Sequence, residues 1–112
     1  MEANSHAFHS VAHKYSDGAG SGGGYGGSHG HPGTNYGPGT AYTINTKLPF
    51  RVHTRFDSES SLTNIQTTLE QDGRSLTFSM APSSYLASLE ASTRAGVTLV
   101  LSYWDAPSNG MR

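Results

Sequence analysis

From Lys47 to Phe56 the chain alternates residue by residue, with Leu48, Phe50, Val52, Thr54 and Phe56 on one side and Lys47, Pro49, Arg51, His53 and Arg55 on the other. A two-residue period predicts a strand whose apolar face is buried and whose polar face meets water or a ligand. Pro49 has no amide hydrogen for a ladder bond, so it belongs at the strand start or on an edge. A second run, Asn64 to Glu70, is separated from Ser75 to Met80 by Gln71-Asp72-Gly73-Arg74. The Asp-Gly pair suits a two-residue turn with positive φ at both positions, which predicts an antiparallel hairpin. Ser83 to Ala95 predicts a short surface helix: Ser83 can cap it, Tyr85, Leu86 and Leu89 share one side, and Gly96 can close it. The apolar run Val97 to Trp104 is rich in β-branched and aromatic residues and predicts a strand buried on both faces. Between Asp17 and Gly39 glycine, serine and histidine dominate, which predicts a mobile loop. The elements add up to a mainly β chain, a fragment of an antiparallel β-sandwich with one short helix.

Composition narrows the function classes. The 112 residues support one small core, and folding at this size buries roughly 65% of the unfolded surface. A hydrophobic share of 34%, a charged share of 13% and 14 glycines leave part of the chain without packing material. The net charge of −1 gives no basic footprint, so neither nucleic acid nor an anionic membrane surface is an expected partner. No apolar run reaches the ~18 residues of a membrane span. The N-terminal residues do not read as a secretory leader. Cysteine is absent, which removes disulfides, thiolate metal sites and cysteine nucleophiles together.

Three stretches in consistent order carry a resemblance. They are Glu2-Ala3-Asn4-Ser5; Tyr36-Gly37-Pro38-Gly39 running into Tyr42 to Lys47 and Phe50 to Phe56; and Gly96 to Asp105, with its Leu-Ser-Tyr-Trp-Asp ending. Together they resemble glycoside hydrolase family 7, the cellobiohydrolases and endoglucanases. The resemblance implies a partial concanavalin A-like jelly-roll β-sandwich with an extended cleft for a β-1,4-glucan. It divides the chain into the end of the catalytic strand and its following loop (1–16), a flexible Gly-rich loop (17–39) and a sandwich core fragment (40–112). It also implies an extracellular full-length parent. Family members retain anomeric configuration, which requires two carboxyl groups about 5 to 5.5 Å apart. On this resemblance Glu2 is the acid/base, His13 an active-site histidine, Trp104 a platform for a glucose ring, and Asp105 a further substrate contact. The family's nucleophile lies upstream of the position matched by Glu2. The chain is therefore expected to be a fragment, cut within the family's motifs at both ends.

Other candidates have plainer readings. Arg51, His53 and Arg55 read as a solvated strand face, and Tyr25 and Tyr36 as residues bracketing the Gly-rich loop. Asp57, Glu59, Glu70, Asp72 and Glu90 match no catalytic position. His9 and His13 would share a helical face, and His29-Gly30-His31 has ligand spacing, but without cysteine or clustered acids no metal and no cofactor is expected. The expected partner is a β-1,4-glucan or cello-oligosaccharide. A noncatalytic glucan-binding or degenerate relative is the alternative, and a Gly/His-rich interaction protein is a third reading. Uncovered edges and apolar faces predict an isolated chain that is poorly soluble or loosely folded.

Overall fold

A computed structural model of the chain describes residues 1–14, 20–26, 35–80 and 83–104. They form a mainly β chain with open, largely antiparallel sheets and one helix. The elements in order are β1 (Glu2–Ala3), β2 (Phe8–Ala12), β3 (Ser21–Tyr25), β4 (Tyr36–Gly37), β5 (Ile44–Asn45), β6 (Arg51–Ser58), β7 (Leu62–Gln71), β8 (Arg74–Met80), α1 (Ser83–Ala95) and β9 (Ser102–Tyr103).

The alternating and hairpin patterns produce the three-stranded sheet β6-β7-β8. Asp72 (φ 49°) and Gly73 (φ 75°) both take the left-handed conformation expected of the turn. β7 is the central strand, and its Leu62, Ile65, Thr67, Leu69 and Gln71 are buried. Helix α1 occupies the segment that its pattern predicts and seals Leu86 and Leu89 into the same core. Tyr85 Oη donates to the Ala12 carbonyl at 3.2 Å, which ties α1 to β2.

The second sheet has the order β3-β2-β1-β9. β1, β2 and β3 pair antiparallel, whereas β9 pairs parallel with β1, as β4 does with β5. Aromatic rings join the two larger sheets: Tyr25 meets Phe78 edge-on at 5.5 Å between centroids, and Phe8 meets Phe78 at 6.3 Å. Tyr36 extends this cluster to Phe8 and Phe50. Gln71 anchors the loop before β6: its Oε1 accepts from Asn45 N–H at 2.7 Å, and its Nε2 donates to the carbonyls of Asn45 and Pro49 at 3.0 Å. A buried amide with its partners in place fixes a loop firmly.

Three expectations are corrected. Ser21–Tyr25 is a strand, not part of a loop. A Cβ on Gly24 would lie 2.0 Å from the Phe8 carbonyl oxygen, and one on Gly23 would lie 3.3 Å from the Phe78 ring. Missing side chains here permit close packing instead of preventing structure. Second, of the run Val97 to Trp104 only Ser102–Tyr103 is a strand, and Val97, Leu99, Val100 and Leu101 are 58 to 69% exposed. β9 has one neighbouring strand among the described residues, the two-residue β1, so little of the run finds a ladder or a covering layer. Third, β6 starts at Arg51, and its inward apolar residues Val52 and Phe56 stay 39% and 44% exposed. β6 is the end strand of its sheet, at the margin of the core.

Candidate functional site

Glu2, central in the four-stranded sheet, pairs with His9 on β2 and with Ser102 on β9. Side chains alternate between faces along each strand, and directly paired residues share one. One face therefore carries Ala3, Phe8, Ser10 and Tyr25, of which Phe8, Ser10 and Tyr25 are buried against the rest of the molecule. The other carries Glu2, His9, Val11, Ser102 and, two residues beyond Ser102, Trp104.

The β1–β9 pairing is short but continuous. Ser102 N–H donates to the Met1 carbonyl at 3.0 Å, Trp104 N–H donates to the Ala3 carbonyl at 2.9 Å, and the N-terminal ammonium donates to the Val100 carbonyl at 2.7 Å. These bonds bring Glu2 and Trp104, at opposite ends of the sequence, into neighbouring positions on one face. Glu2 is half-buried, and Trp104 is 53% exposed.

His13 follows the end of β2 and is exposed. A Cβ on Gly20 would meet Val11 Cγ1 at 2.5 Å and His13 Cε1 at 2.8 Å, so both side chains close over that glycine on the Glu2 face. Counting four residues from His9, His13 lies about 13 Å along the strand direction from the level of Glu2. Trp104 lies to the other side of Glu2, so the three residues form a row and not a cluster. Beside His9 and Val11, Gly24 and Gly22 add no side chains, which keeps that part of the face low. Asp105 lies outside the described residues, as do His29 and His31.

Sequence reasoning missed His9 as the direct partner of Glu2. Its spacing from His13 suggested a helix, yet Phe8-His9-Ser10-Val11-Ala12 is a strand with Phe8 and Ser10 inward. The alternate burial of small and aromatic residues is too faint a pattern to separate from a loop. Asn4 shapes the β1–β2 turn: its Oδ1 accepts from the amides of His6 and Ala7, both at 2.8 Å. Tyr36 Oη donates to the Asn4 carbonyl at 3.0 Å. Burial, aided by Tyr103, pushes the Tyr36 hydroxyl well above the usual tyrosine range.

Three of the remaining described carboxylates are paired elsewhere. Asp57 accepts from Arg55 Nε at 2.7 Å and from Asn64 Nδ2 at 3.1 Å, and the Arg55 bond holds its carboxyl below the usual range. Glu70 meets His53 Nε2 at 3.0 Å, and Glu90 pairs with Arg94 at 3.1 Å. Among the described residues no three His, Cys, Asp or Glu side chains gather as a metal site. A surface depression lined by Phe50, Arg51, Glu70, Asp72 and Arg74 sits by the β7–β8 turn, away from Glu2.

No protein-family profile, no curated protein and no solved structure matches this chain.

Proposed function

We propose that the outer face of the β3-β2-β1-β9 sheet is the acid/base side of a β-1,4-glucan cleft, in a fragment of a retaining glycoside hydrolase of the family 7 type. The observation that carries this reading is the pairing of β1 with β9, which sets Glu2 and the exposed Trp104 on one face although 101 residues separate them. The two residues match the acid/base and the sugar platform of the resembled family. An exposed indole offers a glucose ring a flat apolar surface at small entropic cost. A carboxyl group beside it can hold the proton that a leaving glycosidic oxygen needs. His13 extends the row.

Double displacement requires a second carboxylate about 5 to 5.5 Å from Glu2. The described carboxylates other than Glu2 lie in other parts of the fold: Asp57 and Glu70 in β6 and β7, Glu59 in the β6–β7 turn, Asp72 in the β7–β8 turn, and Glu90 in α1. Binding without turnover, the alternative reading from the sequence, is therefore the activity expected of this polypeptide by itself.

Trp104 is the only tryptophan, so its fluorescence reports this face alone. Titration with cellotetraose should change its intensity saturably, and Glu2→Gln should keep the affinity within a few-fold. Trp104→Ala, followed by calorimetry, should weaken binding about tenfold or more. No fluorescence change up to millimolar ligand, or equal response to an unrelated α-linked oligosaccharide, would remove the glucan reading.

A further inference from the structure

The outer edge of β6 has no strand beside it among the described residues, although β6 is one of the longest strands of the fold. Its pairing with β7 is regular from Arg51↔Glu70 to Asp57↔Asn64 and breaks at a register shift between Asp57 and Ser58. Pro49, without an amide hydrogen, stands just before it. A proline and a bulge are devices that stop strand pairing. Here they bracket seven regular residues, with Thr54 at the midpoint, and leave that stretch open.

We infer that β6 pairs antiparallel with β6 of a second copy of this chain, about a twofold axis through Thr54. Antiparallel pairing that uses all seven residues has one register, in which paired positions sum to 108. On one face it sets Val52 of each copy against Phe56 of the other, and these are the two inward residues of the strand that the fold leaves 39% and 44% exposed. A β-branched residue opposite an aromatic one is a favourable cross-strand pair. On the other face it sets Arg51 of each copy against Asp57 of the other. Asp57 already accepts from Arg55 and Asn64, and a second guanidinium completes its acceptor capacity. The remaining pair, His53 against Arg55, is the unfavourable one. Glu70, 3.0 Å from His53 Nε2, sets a negative charge beside it. Apolar and charge complementarity thus coincide in the one register that the strand's boundaries select. The twofold makes the interface isologous, so each favourable contact occurs twice. Thr54 is the residue on the axis.

The chain has no cysteine, so introduced thiols report without background. Sedimentation equilibrium from about micromolar to millimolar protein should give a monomer–dimer equilibrium, and Phe56→Lys should weaken it at least tenfold. Mixing His53→Cys with Arg55→Cys under mild oxidation should give the mixed disulfide in at least tenfold excess over either homodisulfide, while Ser75→Cys on β8 should remain monomeric. Far-UV circular dichroism of each variant checks that the fold is kept. A single species of monomer mass at every concentration overturns the inference. So does a dimer in which the three cysteine variants cross-link without preference, since that dimer uses another surface.

Discussion

A Cβ built on Gly22 would lie 2.0 Å from the Ser10 carbonyl oxygen and 2.7 Å from Val11 Cα, both backbone atoms that cannot swing aside. Gly22→Ala should therefore cost at least about 2 kcal/mol in urea denaturation, against a few tenths for the exposed control Ser61→Ala. An alanine as stable as glycine at this position would mean that β3 does not approach β2 so closely. Tyr36 gives another residue-scale prediction. Its pKa is raised from 10.0 by burial, so the unfolded chain releases the proton first as pH rises. Its contribution is complete below about pH 10 and is lost as pH climbs toward the higher folded value. Wild type should lose stability more steeply between about pH 9 and pH 12 than Tyr36→Phe, with Tyr25, also raised by burial, supplying the slope that remains. Identical slopes would show that Tyr36 ionises as freely folded as unfolded.

At the scale of elements, local patterns and long-range packing contribute unequally. The β7–β8 hairpin follows from alternation plus Asp72-Gly73, and α1 from its apolar side and Gly96. These segments were legible because the signal and the structure it specifies lie within a few residues of each other. Helix α1 still depends on what it covers: Leu86 and Leu89 are 2% and 4% exposed, while most of its other described residues face solvent. Leu86→Ala should cost about 2 to 5 kcal/mol through lost burial and the cavity left behind. Arg94→Ala, which removes an exposed pair with Glu90 and an exposed hydrogen bond to the Ser60 carbonyl, should cost no more than about 1 kcal/mol. Equal effects in thermal melts would show that α1 is held by its surface contacts as much as by the core. β3 and Val97–Leu101 fail the local argument in opposite directions. β3 is so poor in side chains that its composition predicts no packing, yet it packs. Val97–Leu101 is apolar enough for its composition to predict burial, yet four of its five residues are among the most exposed apolar side chains of the fold.

At the scale of the whole molecule, the large apolar side chains left uncovered among the described residues are Val52 and Phe56 of β6, Leu48 shortly before it, and the run from Val97 to Trp104. Those of β6 and of the run follow from sheets that end without a further strand or layer among the described residues. The two places carry different proposals. At β6 the spacing of Arg51, Val52, Phe56 and Asp57 suits a second copy. At Trp104 the neighbouring Glu2 and the low glycine surface beyond His9 suit a flat, hydroxyl-rich chain. Glucan titration of the Phe56→Lys variant should match wild type, because the two surfaces lie on different sheets.

The sequence by itself determined the strand period, the hairpin turn and the helix with its buried leucines. All of these rest on contacts within a turn or two of chain. Tertiary structure alone decided that a run of glycines is a packed strand, that the most apolar run is exposed, and that His9 rather than His13 pairs with Glu2. It also decided that β1 and β9, far apart in sequence, lie side by side. Each of these depends on which distant backbone arrives alongside, a question of long-range pairing that composition and periodicity do not encode.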